Sequence, residues 1–224
     1  MSEISVIIRN KNEERWIGYA IQSVIDFIPN SEIIVIDNGS IDNSAKIVSH
    51  FNIDDKLKEV DKSKYTNIII ENIKNYTPGK AINLGINKAS NDICIVMSAH
   101  CEIKKINLKK IKNDLNHYIS IFGKQIPVWC GKKITPRYIW SHFKDEEVIN
   151  MYSELEQRYF HHNAIAIYRK SFLLNHPFDE NLQAKEDRYW ANDLIDNDHK
   201  ILYSPDIVVH HHYTESGNTW KGLA

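Results

Sequence analysis

Ile33-Ile34-Val35-Ile36-Asp37-Asn38-Gly39-Ser40 decides the fold. Its apolar run is long enough for a buried strand, and it stops at a turn cluster headed by a carboxylate. Short apolar runs bounded by turn residues are the mark of core strands in a parallel sheet. Ligands of open α/β sheets bind beyond the carboxyl ends of the strands. Asp37 therefore either meets a ligand or caps its own turn.

Similar runs lie on both sides. Ile4–Ile8, Asn67–Glu71 and Ile93–Met97 are rich in β-branched or apolar residues and read as further strands. Between them, Trp16, Ile17, Ala20, Ile21, Val24, Ile25 and Ile28 recur with helical spacing. Asn10 or Asn12 can cap that helix, and Ser40 a second one over Ala45, Val48 and Phe51. Pro78 opens a third, carrying Ala81, Ile82, Gly85, Ile86 and Ala89. Residues 52–66 are polar and read as a loop. Strands alternating with helices imply βαβ units and a largely parallel sheet.

Beyond residue 103 the pattern is weaker. Lysines 104, 105, 109, 110 and 112 interleave with Ile106, Leu108, Ile111 and Leu115 over residues 104–118. This reads as a basic amphipathic helix, either a solvated face or a contact with an anionic membrane surface. Residues 123–147 read as aromatic loops over a site, and 145–158 as a helix. A strand over 163–168, a helical turn at 170–174 and a helix over 185–197 follow. Residues 201–203 and 207–209 suggest a closing pair of strands, and 213–224 a polar, mobile tail. With 224 residues and no low-complexity linker, one domain is expected, its clearly alternating half near 1–102 and its more weakly patterned half near 103–212.

Bulk properties exclude several classes. A net charge of −1 gives no general attraction to nucleic acid. No GxGxxG or GxxxxGK[ST] follows a strand, so neither a dinucleotide fingerprint nor a P-loop is present. The three cysteines form no CxxC pair and suit a reducing compartment. The N-terminus has no signal-peptide pattern, and no apolar run reaches the roughly 18 residues of a membrane span. A cytoplasmic protein is expected, with peripheral contact at the inner face of the cell membrane if the lysine-rich stretch binds lipid.

Five segments in order resemble the family 2 glycosyltransferases of the GT-A fold. These are Arg9-Asn10-Lys11-Asn12-Glu13-Glu14 after the first strand, Val35-Ile36-Asp37-Asn38-Gly39-Ser40-Ile41-Asp42 and Pro78-Gly79-Lys80-Ala81-Ile82-Asn83-Leu84-Gly85. Phe178-Asp179-Glu180 with Glu186-Asp187, and Pro205-Asp206-Ile207-Val208-Val209-His210-His211, complete the set. The resemblance implies a Rossmann-like, mainly parallel sheet flanked by helices, and a nucleotide-sugar donor. Asp37 would bond the base. Arg9, Asn10, Asn12 and Glu13 would line the nucleoside pocket, with Gly79, Lys80 and Asn83 beside the base or phosphates. Asp187 would be the general base of an inverting transfer to a glycan or lipid-linked hydroxyl. Glu186 would bind the acceptor or orient the site. Both could instead be carboxylates placed in a first helical turn by the helix dipole.

One departure stands out. Where the family usually has D-x-D for a divalent metal, this chain has Ser98-Ala99-His100. His100 could ligate an ion, Mn²⁺ suiting imidazole better than Mg²⁺, or donate directly to phosphate. His211 aligns with the family's closing histidine as a second ligand or diphosphate contact, with Glu102 and His210 as alternatives. If residues 207–212 are extended, His210 and His212 face one way and His211 the other. Gly123-Lys124-Gln125-Ile126-Pro127 is similar to an element of bacterial surface-polysaccharide transferases. Gln125, Trp129 and Trp190 are accordingly candidates for acceptor contact, although each tryptophan could be core. A sugar nucleotidyltransferase and a non-catalytic nucleotide-sugar-binding protein are the alternatives.

Overall fold

The computed structural model describes residues 3–52, 67–133, 138–215 and 217–221. β1 (Ile4–Asn10), β2 (Glu32–Asp37), β3 (Asn67–Asn72) and β4 (Ile93–Ser98) run parallel in the order β3-β2-β1-β4. All six residues of β2 are buried, as an interior strand with both faces covered requires. Alternation along β1 divides the core. Val6 and Ile8 join one apolar cluster with Ile17, Ile21 and Val24 of α1 (Ile17–Phe27), and Val48 of α2 (Ser44–His50) joins them. Ile7 points the opposite way, into a cluster with Ala81, Ile82 and Ile86 of α3 (Pro78–Lys88). Thr77 caps α3 by accepting from the Lys80 amide at 3.2 Å, with Pro78 beginning the first turn. A Cβ at Gly85 would lie 2.4 Å from Ile7 Cγ2, so only glycine lets this helix sit so close to β1.

The sheet continues β4-β11-β6-β12-β5 into a mixed half. It contains β5 (Cys101–Lys105), β6 (Ser120–Trp129), β11 (Ile165–Arg169) and β12 (Ile201–His212). β11 is antiparallel to both β4 and β6, whereas β12 is parallel to β6 and antiparallel to β5. The short β7 (Lys132–Lys133) and β8 (Val148–Ile149) pair with β6 and β12. β9 (Tyr152–Ser153) and β10 (Arg158–Tyr159) form a separate small ribbon. α4 (Leu108–Asp114), α5 (Lys170–Asn175), α6 (Glu186–Asp196) and α7 (Asn218–Lys221) complete the described helices. The chain is therefore a mixed α/β fold with a large, mainly parallel central sheet.

Several sequence expectations are corrected here. The basic stretch is not one helix: Lys104 and Lys105 lie in β5, and α4 covers only Leu108–Asp114. Residues 120–129 form a ten-residue strand rather than a loop, with Trp140 and Phe143 in the core. Lys124, Gln125 and Pro127 mask the strand pattern. The helix expected over 145–158 is replaced by β8, β9 and β10, because Asn150 and Gln157 have φ of 50° and 51°. The closing pair of strands is one strand, β12, with a register shift between Ser204 and Val208 around Pro205-Asp206. Ser40 does not cap α2, whose N-cap position is Asn43. Within the expected mobile tail, Trp220 is buried, and its indole donates to the His212 carbonyl at 2.9 Å. Most of the loop expected over 52–66 lies outside the described residues. No helix among the described residues is long and apolar enough to cross a membrane.

Candidate active site

Parallel register brings the carboxyl ends of the strands to one edge: Asn10 lies opposite Asp37, and Arg9 opposite Ser98. Across from these ends stand the start of α6 and residues 217–219. A cleft of about 170 Å³ lies between them. Arg9, Asn10, Glu13, Ser98, His100, Glu186 and Asp187 all line it.

Arg9 ties the two walls together. Its guanidinium donates to Glu186 Oε1 at 3.3 Å, to Ser98 Oγ at 3.4 Å and to the Asn163 carbonyl at 2.8 Å. Its Nε is buried without a partner among the described residues, as is Asn10 Oδ1. Buried polar atoms are ordinarily satisfied, so these two are open to a polar group of a ligand or to water.

Glu186 and Asp187 occupy the first turn of α6, where the positive end of the helix favours carboxylates. The preceding Lys185, at φ 61°, turns the chain into the helix and also lines the cleft. Asp187 accepts from the Asn163 amide at 3.0 Å, and from the Arg188 amide and guanidinium at 2.9 and 3.1 Å. Burial alone would raise the Asp187 carboxyl. The Arg188 guanidinium, with His162 and His161, outweighs burial and holds it well below the usual carboxylate range. Burial and the adjacent Asp187 charge instead push Glu186 up to about 7. The neighbouring carboxyls are thus driven apart, the pattern by which one site holds an ionised group beside one that titrates near neutrality. Arg188 is fully buried, and its guanidinium lies over the Phe160 ring, 4.5 Å from the centroid. Glu186 also lines a second hollow with Leu182, Tyr189 and Trp190.

His100 and His162 line the remaining wall, with His211 buried behind His100. His100 contacts Glu13 Oε1 through Nδ1 at 3.0 Å, and its ring lies 4.8 Å from that of His211. His211 Nδ1 meets Gln125 Oε1 at 2.8 Å, leaving Nε2 buried without a partner among the described residues. Burial, with His100 and His162 nearby, holds His211 well below the ordinary histidine range. A neutral imidazole with a free nitrogen is a competent ligand. His100 and His211 therefore suit an ion that accepts nitrogen, such as Mn²⁺, better than Mg²⁺, which prefers oxygen. Their set holds no paired aspartates, so a bound diphosphate would have to supply oxygen ligands. Glu102 and His210 do not join them. They lie on the opposite face of β12 with His212, and one ligating atom from each of the three falls within 4.8 Å of the others.

Other predicted site residues stand in different places. Both Asp37 oxygens are engaged in the local turn, accepting from Asn10 Nδ2 at 2.7 Å, the Ser40 amide at 2.8 Å and Ser40 Oγ at 2.6 Å. It is Asn38, the next residue, that lines the cleft. Asn12 braces the same turn, its Oδ1 accepting from the Ile41 amide at 2.8 Å. Asn83 clamps the 178–180 loop, donating to the Phe178 carbonyl at 2.9 Å and accepting from its amide at 3.1 Å. Gly79 packs on the same loop, and Lys80 Nζ reaches the Lys74 carbonyl at 3.0 Å. Trp129 is 54% exposed at the far end of β6. Trp190 is buried, its indole donating to the His176 carbonyl at 2.8 Å. Sequence reasoning missed Tyr76, His162, Asn163, Lys185 and Thr219, which all line the cleft. The His161-His162-Asn163 run before β11 was the available signal.

The model of the family described as glycosyl transferase family 2 matches residues 5–176. Among sequence relatives, the minor teichoic acid biosynthesis protein GgaA of Bacillus subtilis (strain 168) is 26% identical over 200 residues, covering 85% of this chain and 43% of GgaA. Among solved structures, S. aureus TarS 1–349 in complex with UDP-GlcNAc aligns with TM-score 0.67 and 22% identity, over 97% of this chain and 60% of that one. GalNAc-T7 with UDP, GalNAc and Mn²⁺ aligns with TM-score 0.66 and 19% identity, over 97% of this chain and 45% of that one. The chain spans less than two thirds of each of these proteins.

Proposed function

The chain belongs to glycosyl transferase family 2, and from that premise we propose that it moves a sugar, with inversion, from a nucleotide-sugar donor to an acceptor hydroxyl. The acceptor is a glycan or lipid-linked intermediate of a bacterial surface polysaccharide. Similarity to GgaA, named for teichoic acid biosynthesis, supports this class.

The observation that carries the proposal is the meeting, across one cleft, of the β1 and β4 ends with the Glu186–Asp187 pair. Asn10 and Asn38 flank the strand ends, where a nucleoside would lie. Arg9 and Ser98 offer a guanidinium and a hydroxyl to the diphosphate. Asp187, held ionised by Arg188, accepts the acceptor's proton as its oxygen attacks the anomeric carbon and nucleoside diphosphate leaves. Glu186, shared between the cleft and the Trp190 hollow, orients the acceptor. A divalent ion held by His100 and His211 would supply charge neutralisation for the leaving diphosphate.

Nucleoside diphosphate release from a panel of nucleotide sugars tests this reading. Wild type should turn over at least one donor, and Asp187→Asn should lower the rate about 10²–10⁴-fold, the usual range for losing a general base. Donor binding without turnover by wild type would favour the non-catalytic alternative.

A further inference from the structure

The face of β12 turned away from His211 carries a separate group of ligating side chains. His210 and His212 are two residues apart on the strand, so they project from the same face. Glu102 of β5 lies directly across the ladder from His210. Glu102 Oε2 is 3.0 Å from His212 Nε2, and one ligating atom from each of the three residues lies within 4.8 Å of the others.

Neighbours hold two of these donors in place. Lys104 engages the other oxygen of Glu102, leaving Oε2 turned toward His212. The Trp16 ring stacks on His212 at 4.1 Å between centroids, with the planes 11° apart. Glu102 and His210 are only half-buried, so solvent can reach the group.

We propose that Glu102, His210 and His212 form a site for a divalent transition-metal ion, with Zn²⁺ the best match. Two imidazoles and one carboxylate are a common zinc donor set, and water can fill the fourth position. Ligands about 2.0–2.1 Å from zinc lie about 3.3 Å apart in a tetrahedron. The Glu102–His212 distance already matches one edge, and the ligating atoms, all within 4.8 Å of one another, would draw together on the ion. Mg²⁺ and Ca²⁺ prefer six or more oxygens and suit this group poorly. The site is distinct from the cleft pair, since His211 projects from the other face of the strand. It would fasten the edge strand β5 to β12. Through Trp16, it would also brace the segment that runs from the cleft into α1.

Titration of the full chain with Co²⁺, read by visible absorption and followed by Zn²⁺ displacement, tests the proposal. Wild type and His100→Ala should each show a tetrahedral Co²⁺ band on Glu102, His210 and His212, and Zn²⁺ should raise the Tm of both. Glu102→Gln and His210→Ala alter half-buried side chains and should weaken binding at least about tenfold, losing the Tm increment. Binding unchanged in both of these variants would overturn the proposal. So would loss of the band in His100→Ala, which would place the ion in the cleft, or no binding by wild type.

Discussion

At the residue scale, the adjacent carboxyls of Glu186 and Asp187 have opposite environments. Arg188 keeps Asp187 charged, whereas burial beside that charge brings Glu186 to about 7. If an ionised Glu186 orients the acceptor hydroxyl, kcat/KM should rise with pH through about 7. A pH profile of Glu186→Gln should be flat in that range, with a smaller rate loss than Asp187→Asn. A loss as large as that of Asp187→Asn would exchange the two roles. Persistence of the limb would assign it to another group. Asp37 shows a different kind of residue economy. Three hydrogen bonds from Asn10 and Ser40 hold the turn, and Asn38 presents that turn to the cleft.

At the element scale, α3 and the 178–180 loop behave as one part. Asn83 brackets Phe178 with two hydrogen bonds, and a Cβ on Gly79 would stand 2.5 Å from the Asp179 carbonyl oxygen. The contact is with backbone, so it cannot be relieved by rotating a side chain. Gly79→Ala should destabilise the fold by about 1–3 kcal/mol, the usual cost of overpacking, measured as a lowered midpoint in urea. An unchanged midpoint would show that the loop yields freely. The elements legible in sequence were those with dense physical signals. β1, β2 and β4 are covered on both faces, so apolar residues dominate their runs, and α1, α3 and α6 repeat with helical period. β6 was obscured because Lys124, Gln125 and Pro127 interrupt its run, although the strand is pinned between β11 and β12. The false helix at 145–158 failed at Asn150 and Gln157, whose left-handed backbone cannot be read from local composition. Arg9, Glu186 and His100, which line the cleft, were legible because each sits next to a recognisable strand end or helix start, whereas Asp37 holds the turn that brings Asn38 there. Tyr76, His162 and Thr219 reach the cleft only through long-range packing.

At the scale of the whole molecule, the interior contains ionisable groups that couple stability to pH. Burial lowers His161 to about 4 and His162 to about 3, and holds His211 well below its ordinary value. Between about pH 4 and 6.5 the unfolded chain binds more protons at these histidines, so their contribution to stability falls as the solution is acidified. Glu186 acts with the opposite sign. Its raised value makes the folded state bind the extra proton between about 4.5 and 7, so its contribution falls as pH rises. These three histidines, joined by His142 and His212, which burial also lowers, outweigh one glutamate. Each tenfold difference in proton affinity between the folded and unfolded chain is worth about 1.4 kcal/mol, so net stability should drop by several kcal/mol from pH 6.5 toward 4. Urea midpoints at pH 7, 6, 5 and 4 check this, and a constant midpoint would contradict it.

The proposed transfer requires a nucleotide sugar to occupy the cleft between the strand ends and α6. The decisive measurement is a crystal structure of the chain with whichever nucleotide sugar the diphosphate-release panel identifies as its donor. The nucleoside should lie beside Asn10 and Asn38, the diphosphate at Arg9 and Ser98, and the sugar against Glu186 and Asp187. Ligand density confined to the Trp190 hollow, or its absence from the cleft at saturating concentration, would contradict it.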